Sequence, residues 1–257
     1  MTTPKVSTVK RGGARFYVDP SSGDKVPGVT SVLNQLPKPF LQYWAAKVVA
    51  ETAVDNLGGW VNLAMNGDRD GAIDYLKRAP GRNTGRAADM GTEAHDIMER
   101  MARGEGPGRV APDMRWAVDN FSEFLDAFQP EFLHLEETVW SESPGYAGSF
   151  DAIAKVGDET LILDWKTTRS GVHAEVALQM CAYANADYIM APDGEHMPLP
   201  AIDGAAVFHT RPDGEGWKVV PAAIDADILL PIFHALLATM QWSTISKQVL
   251  GAEMRSL

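Results

Sequence analysis

The sequence predicts an α+β fold, a mixed sheet in the second half of the chain preceded by a helical segment. Three observations predict it. From Thr30 to about residue 128, apolar residues recur every three or four positions, the spacing of helices with one buried face. After Pro130 the texture changes, and HLEETVW, YAGSFDAIAKV and ETLILDWKT alternate as strands do. Helical spacing returns over 172–190 and again over about 225–247, with two further strands, AAVFHTR and GWKVVPA, between them.

Each element has a local reason. Residues 16–29 carry Gly, Pro, Ser and Asp punctuation and predict a short hairpin or loop. SVLNQLP and PFLQYWAAKVVAETAVDNL predict two helical pieces parted by Pro37 and Pro39, because proline drives the residue before it out of helical conformation. A helix over about 68–79 is predicted to stop at Pro80–Gly81. Thr84 is then the expected cap of GRAADMGTEAHDIMERMARG, which Gly104 ends. A helical segment over 1–83 and a core over 84–257 are the expected divisions. In the sheet, Gly157–Asp158 suits a two-residue type II′ turn. Continued from Val156 facing Glu159, that register sets Asp151 opposite Asp164. Lys166 shares their face, because residues two apart on a strand point the same way. The opposite face carries Phe150, Ala152, Ala154, Val156, Leu161, Leu163 and Trp165, an apolar set fit to pack on a core.

Composition excludes several classes. With 257 residues the chain suits one large domain or a core with an appendage. A net charge of −11 argues against non-specific coating of nucleic acid, though not against an enzyme with a local basic track such as RDGAIDYLKRAPGRNTGR at 69–86. The single cysteine, Cys181, permits neither an internal disulfide nor a four-cysteine iron–sulfur site, and its apolar helical setting reads as packing. No apolar run is long enough to cross a membrane, and the first residues lack the apolar centre of a signal peptide, so a cytoplasmic protein is expected.

Two facing carboxylates destabilise a sheet unless something positive offsets them. Lys166 offsets part, and a hard divalent cation offsets more, since Mg²⁺ takes oxygen ligands. The bland alternative is a solvated strand face with incidental charges. Three companions weigh against it: His95 in GTEAHDIMER, and Gln179 and Tyr183 in QMCAY, neighbours four apart on one helix face. Glu136 and Glu137 in LEETVW compete, by parity, as a further acidic group.

In order, a helical histidine, G-x-x-D, D-x-K and Q-x-x-x-Y resemble the PD-(D/E)XK nuclease superfamily, specifically its RecB-like and phage-type exonuclease branch, over about residues 84–190. PGVTSVLNQLPKPFLQYWAAK is similar to the start of phage members. The resemblance implies a restriction-endonuclease-like central sheet flanked by helices. It implies a metal-dependent DNA exonuclease of phage recombination or DNA-end processing, using one or two Mg²⁺ or Mn²⁺ ions. His95, Asp151 and Asp164 would be metal ligands with the Trp165 carbonyl, and Lys166 would orient or activate water. Gln179 and Tyr183 would hold the DNA or the lysine; Arg82 and Arg86 would track the backbone. Tyr43, Trp44 and Trp60 are base-stacking candidates with core packing as the competing role. A single-strand annealing protein is the implied partner, and an oligomer is left open. The iron–sulfur cysteines of some relatives are missing, as is any helicase phosphate loop. Three other readings stay open: a structure-specific or restriction-like endonuclease, a non-catalytic DNA-binding protein of the same fold, and a small-molecule enzyme with a carboxylate site.

Overall fold

Residues 5–246 and 248–251 are described by a computed structural model. A three-stranded antiparallel sheet opens the chain: β1 (Thr8–Arg11), β2 (Ala14–Val18) and β3 (Lys25–Pro27). Helices α1 (Val29–Leu33), α2 (Phe40–Asp55), α3 (Leu57–Met65), α4 (Arg69–Lys77) and α5 (Ala79–Ala102) follow. A 3₁₀ turn (Pro112–Met114) leads into α6 (Arg115–Phe128). Then come β4 (Glu131–Ser141), β5 (Tyr146–Val156), β6 (Glu159–Lys166), α7 (Glu175–Ala184), β7 (Tyr188–Met190), β8 (His196–Met197), β9 (Gly204–Thr210), β10 (Trp217–Ala222) and α8 (Ala226–Ile245). The fold is mixed α+β, as expected.

Contacts divide the chain into two units, Pro37–Glu93 and the remainder. The first is helical and buries little: Val48, Ala72 and Ala79 are covered, while Tyr43 is 79% exposed and Met65 81%. The second holds the seven-stranded sheet, in the order β10-β9-β6-β5-β4-β7-β8, in which only β6 and β9 run parallel. On one face α6 lays Phe121 and Phe124 against Trp165 and Phe208, with ring centroids 4.9–6.1 Å apart, mostly edge to face. On the other face Ile153, Ile162 and Val207 join Val29, Val32, Met180, Phe233 and Leu237 from α1, α7 and α8. The face bearing the aspartates is therefore a covered layer and not a solvated strand face. Its end by Asp151, Asp164 and Lys166 is polar.

Several expectations are corrected. The helix predicted to begin after Gly81 begins at Ala79. Pro80 lies in its first turn, where a missing N–H removes no intrahelical bond. Thr84 lies inside α5, its hydroxyl donating to the Pro80 and Gly81 carbonyls, and is not a cap. The helix expected over 172–190 is α7 alone, and Tyr188–Met190 joins the sheet beside β4. The hairpin expected over 16–29 is present as the β2–β3 pair, and β1 adds a third strand that was not expected. The last helix, expected to 247, ends at Ile245, and Lys247 is outside the described residues.

Candidate active site

The β5–β6 turn sets the geometry. Gly157 has φ +61° while Asp158 stays out of the left-handed region, as a type II′ turn requires. Val156 pairs Glu159 and the ladder runs unbroken to Ala152 opposite Leu163; Asp151 and Asp164 are the next residues on the two strands. On the other side, Leu135 pairs Ala152 and Glu137 pairs Phe150, which sets Glu136 beside Asp151. Three adjacent strands thus carry a transverse row: Glu136, Asp151, Asp164.

The row coincides with a backbone irregularity. Glu136 has φ +52°, a conformation a side chain adopts only under tertiary constraint. The carbonyl before it, on Leu135, accepts from Lys5 Nζ at 3.0 Å and Arg103 Nη2 at 3.2 Å. Strand alternation is reset at this point. Before Asp151, Tyr146 and Gly148 meet α7 and α8; beyond it, Ile153 does.

α5 brings His95. Its buried helical neighbours are Ala94, Ile97 and Met98. His95 Nδ1 stands 3.5 Å from Asp151 Oδ1, and it is buried with no hydrogen bond among the described residues. One ligand atom each from His95, Glu136 and Asp151 lie within 4.8 Å of one another. Of the two competing glutamates the structure brings Glu136 to the site. Glu137 is taken by His134, at 2.8 Å.

Asp164 is turned to different partners. Lys166 Nζ donates to its Oδ1 at 2.8 Å and lies 2.8 Å from Oδ2, and Gln179 Nε2 donates to Oδ1 at 3.1 Å. Gln179 Nε2 also reaches the Tyr183 hydroxyl at 3.3 Å. That phenol is 2% exposed, and of the two roles expected for this pair, holding DNA or holding the lysine, the contacts here run through Gln179 to Asp164 and so to Lys166. Gly148 belongs to the same unit: a Cβ there would stand 2.4 Å from the Tyr183 ring. For Trp165 the group engaged is the amide, which donates to Asp151 Oδ2 at 2.6 Å; its indole packs in the opposite layer. Arg82 and Arg86 lie in the helical unit, where Arg82 stacks over Tyr75 at 4.6 Å and donates to its carbonyl. Trp60, in the same unit, spends its N–H on the Ala53 carbonyl.

Burial pushes the Asp151 carboxyl up, but the His95 and Lys166 charges and the Trp165 amide outweigh it and hold Asp151 below the ordinary carboxylate range. Asp164 goes the other way, because burial and the Asp151 charge outweigh Lys166. Burial lowers the Lys166 ammonium, yet Asp164 and Asp151 leave it above its ordinary value, so it is a proton-bearing cation at neutral pH. Two adjacent carboxylates driven apart in acidity beside a fixed cation are an arrangement suited to hydrolytic chemistry.

No family model matches the chain, and no curated protein does. Solved structures resemble part of it. One of them, the crystal structure of SSO0001, aligns at 10% identity and a TM-score of 0.30 over 54% of this chain. The alignment covers 63% of that chain, less than two thirds of its length.

Proposed function

We propose that this chain is a divalent-metal-dependent deoxyribonuclease of the PD-(D/E)XK type, working as an exonuclease on DNA ends. The observation that carries the reading is the meeting of His95, Glu136 and Asp151 within 4.8 Å, beside the Asp164–Lys166 pair. The donor set fits a hard cation. Two carboxylates suit Mg²⁺, and an imidazole whose buried Nδ1 has no hydrogen bond among the described residues tilts the set toward Mn²⁺. His95, Glu136 and Asp151 would hold the ion, with Asp164 next to them.

When bound, the cation supplies Lewis acidity, neutralising phosphate charge and lowering the pKa of water. The remaining tasks fall to the chain itself. Lys166 Nζ, held by Asp164, is a donor for charge that builds on phosphate oxygens in the transition state, which makes it an electrostatic stabiliser. Gln179 holds Asp164 and Asp164 holds Lys166, so the ammonium is placed before substrate arrives. The Trp165 amide fixes Asp151 in the same way. An exonuclease of this kind leaves single strands, so a single-strand annealing protein is the fitting partner.

Digestion of linear, nicked and covalently closed DNA, each open form labelled at one end, with and without Mn²⁺, tests the reading. Linear DNA should shorten from its ends and the closed circle should survive; cutting of the circle converts the assignment to an endonuclease. Asp164→Ala should keep its circular dichroism and lose digestion. Full activity in that variant rejects the assignment.

A further inference from the structure

A second acid–base imbalance lies on the N-terminal sheet, in TVKRGGARFYV, residues 8–18. It carries three cations, Lys10, Arg11 and Arg15, and no acid, in a chain of net charge −11. Lys10 pairs Arg15 across β1 and β2, so two like charges face each other on one side of the hairpin. None of the three makes an ion pair among the described residues, although cations elsewhere readily do: Lys47 with Glu51, Arg78 with Asp74, Arg115 with Asp119. Lys10 and Arg11 are exposed.

The hairpin is built rigidly. Gly12 and Gly13, at φ +56° and +83°, make the tight turn whose twist matches the strands. The Tyr17 hydroxyl donates to Ser149 Oγ at 3.2 Å and accepts from Ser149 N at 3.0 Å, two residues from Asp151. Arg15 N donates to Ser31 Oγ at 2.8 Å, and Gly28 N to the Arg15 carbonyl at 2.9 Å.

Register directs the tip. Gly28 bridges Ala147 in parallel, which sets Arg15 level with Ala147. Since β2 runs antiparallel to β3, the chain from Arg15 back to Gly12 advances the way β5 does from Ala147 toward Asp151. Three residues at roughly 3.3 Å each bring the turn about 10 Å along, level with the approach to Asp151. Three carboxylates there repel a polyanion, and a local cationic surface is the physical remedy.

We infer that the β1–β2 hairpin is a preformed prong in which Lys10, Arg15 and Arg11 grip the phosphate backbone of DNA entering the site, independently of sequence. The inference rests on the nuclease reading above and adds to it a substrate contact in the sheet unit, apart from the 69–86 basic stretch.

The test is anisotropy of end-labelled duplex DNA in EDTA, with affinity followed against salt. Each backbone contact contributes about 0.9 to the slope of log K on log salt. K10Q/R15Q should lower the slope by about 2 and R11Q by about 1. The remote pair K155Q/K218Q, equal in charge removed, should leave it as in the wild type. An unchanged slope in K10Q/R15Q and R11Q, an equal fall in the remote pair, or no DNA binding by the wild type overturns the inference. R11Q, on an exposed side chain, reads the effect even where the double variant folds poorly. Wild-type digestion with Mn²⁺ judges the nuclease reading separately.

Discussion

Substituting Gly148 by alanine isolates the packing that links two distant motifs. Gly148 has no left-handed φ, so alanine brings no backbone strain there; what it brings is a methyl group. That methyl would stand 2.4 Å from Tyr183 Cε1, 3.2 Å from Cζ and 3.2 Å from Val29 Cγ2. The ring must withdraw by about 1 Å to reach ordinary contact, and it is enclosed in a core that close-packs. Overpacking of this kind costs roughly 1–3 kcal/mol. For a chain of this size each kcal/mol lowers Tm by about 2–4 °C. The shift also strains the 3.3 Å contact from Gln179 to the Tyr183 hydroxyl, loosening the side chain that holds Asp164. Urea unfolding gives the stability change from the midpoint at constant m value. A double-mutant cycle identifies its source: with Tyr183→Ala already present, Gly148→Ala should cost less than about 0.5 kcal/mol, because the ring it strikes is gone. Equal cost in both backgrounds, or none in the wild type, refutes the packing argument.

Other consequences follow from the same geometry. Glu136→Gln should weaken Mn²⁺ binding by at least tenfold in calorimetry and Glu137→Gln by less than threefold, since Glu136 meets His95 and Asp151 while Glu137 is held by His134. Burial pushes the Tyr146 phenol up to about 12 and holds Tyr183 well above its ordinary value. Both stay protonated in the folded state while the unfolded chain ionises near pH 10, so stability should be intact below pH 10 and fall between pH 10 and 12. For Tyr146 alone the fall is up to about 2–3 kcal/mol, measured by urea unfolding across that range; a flat profile contradicts it. The Cys181 thiol, pushed up to about 11 by burial, should resist iodoacetamide at pH 8 in the folded protein and react fully in urea, which mass spectrometry reads directly.

Much of the second half was legible in the residues themselves. Alternation after Pro130 and the Gly157–Asp158 turn depend on local rules, and a two-residue turn leaves a single register, so the pairing from Val156–Glu159 to Ala152–Leu163, just short of Asp151 and Asp164, follows from sequence. His95 sat on a helical pattern and reached the site on one. Elsewhere local rules were overridden. Pro80 reads as a stop, but a proline in a helix's first turn removes no bond, so only the surrounding packing decides whether the helix begins before or after it. Glu136 and Glu137 could not be separated by parity, because alternation assumes extended backbone and Glu136 turns to φ +52° under the hold of Lys5 and Arg103 on the preceding carbonyl. Those cations come from 130 and 32 positions away in the chain, a separation no local pattern encodes. The meeting of Gly148 with Tyr183, and of Tyr17 with Ser149, is likewise a product of assembled layers. Chemistry-bearing residue types and their strand partners are local properties; which carboxylate turns inward, and what each one leans on, depends on side chains that only the folded core brings within reach.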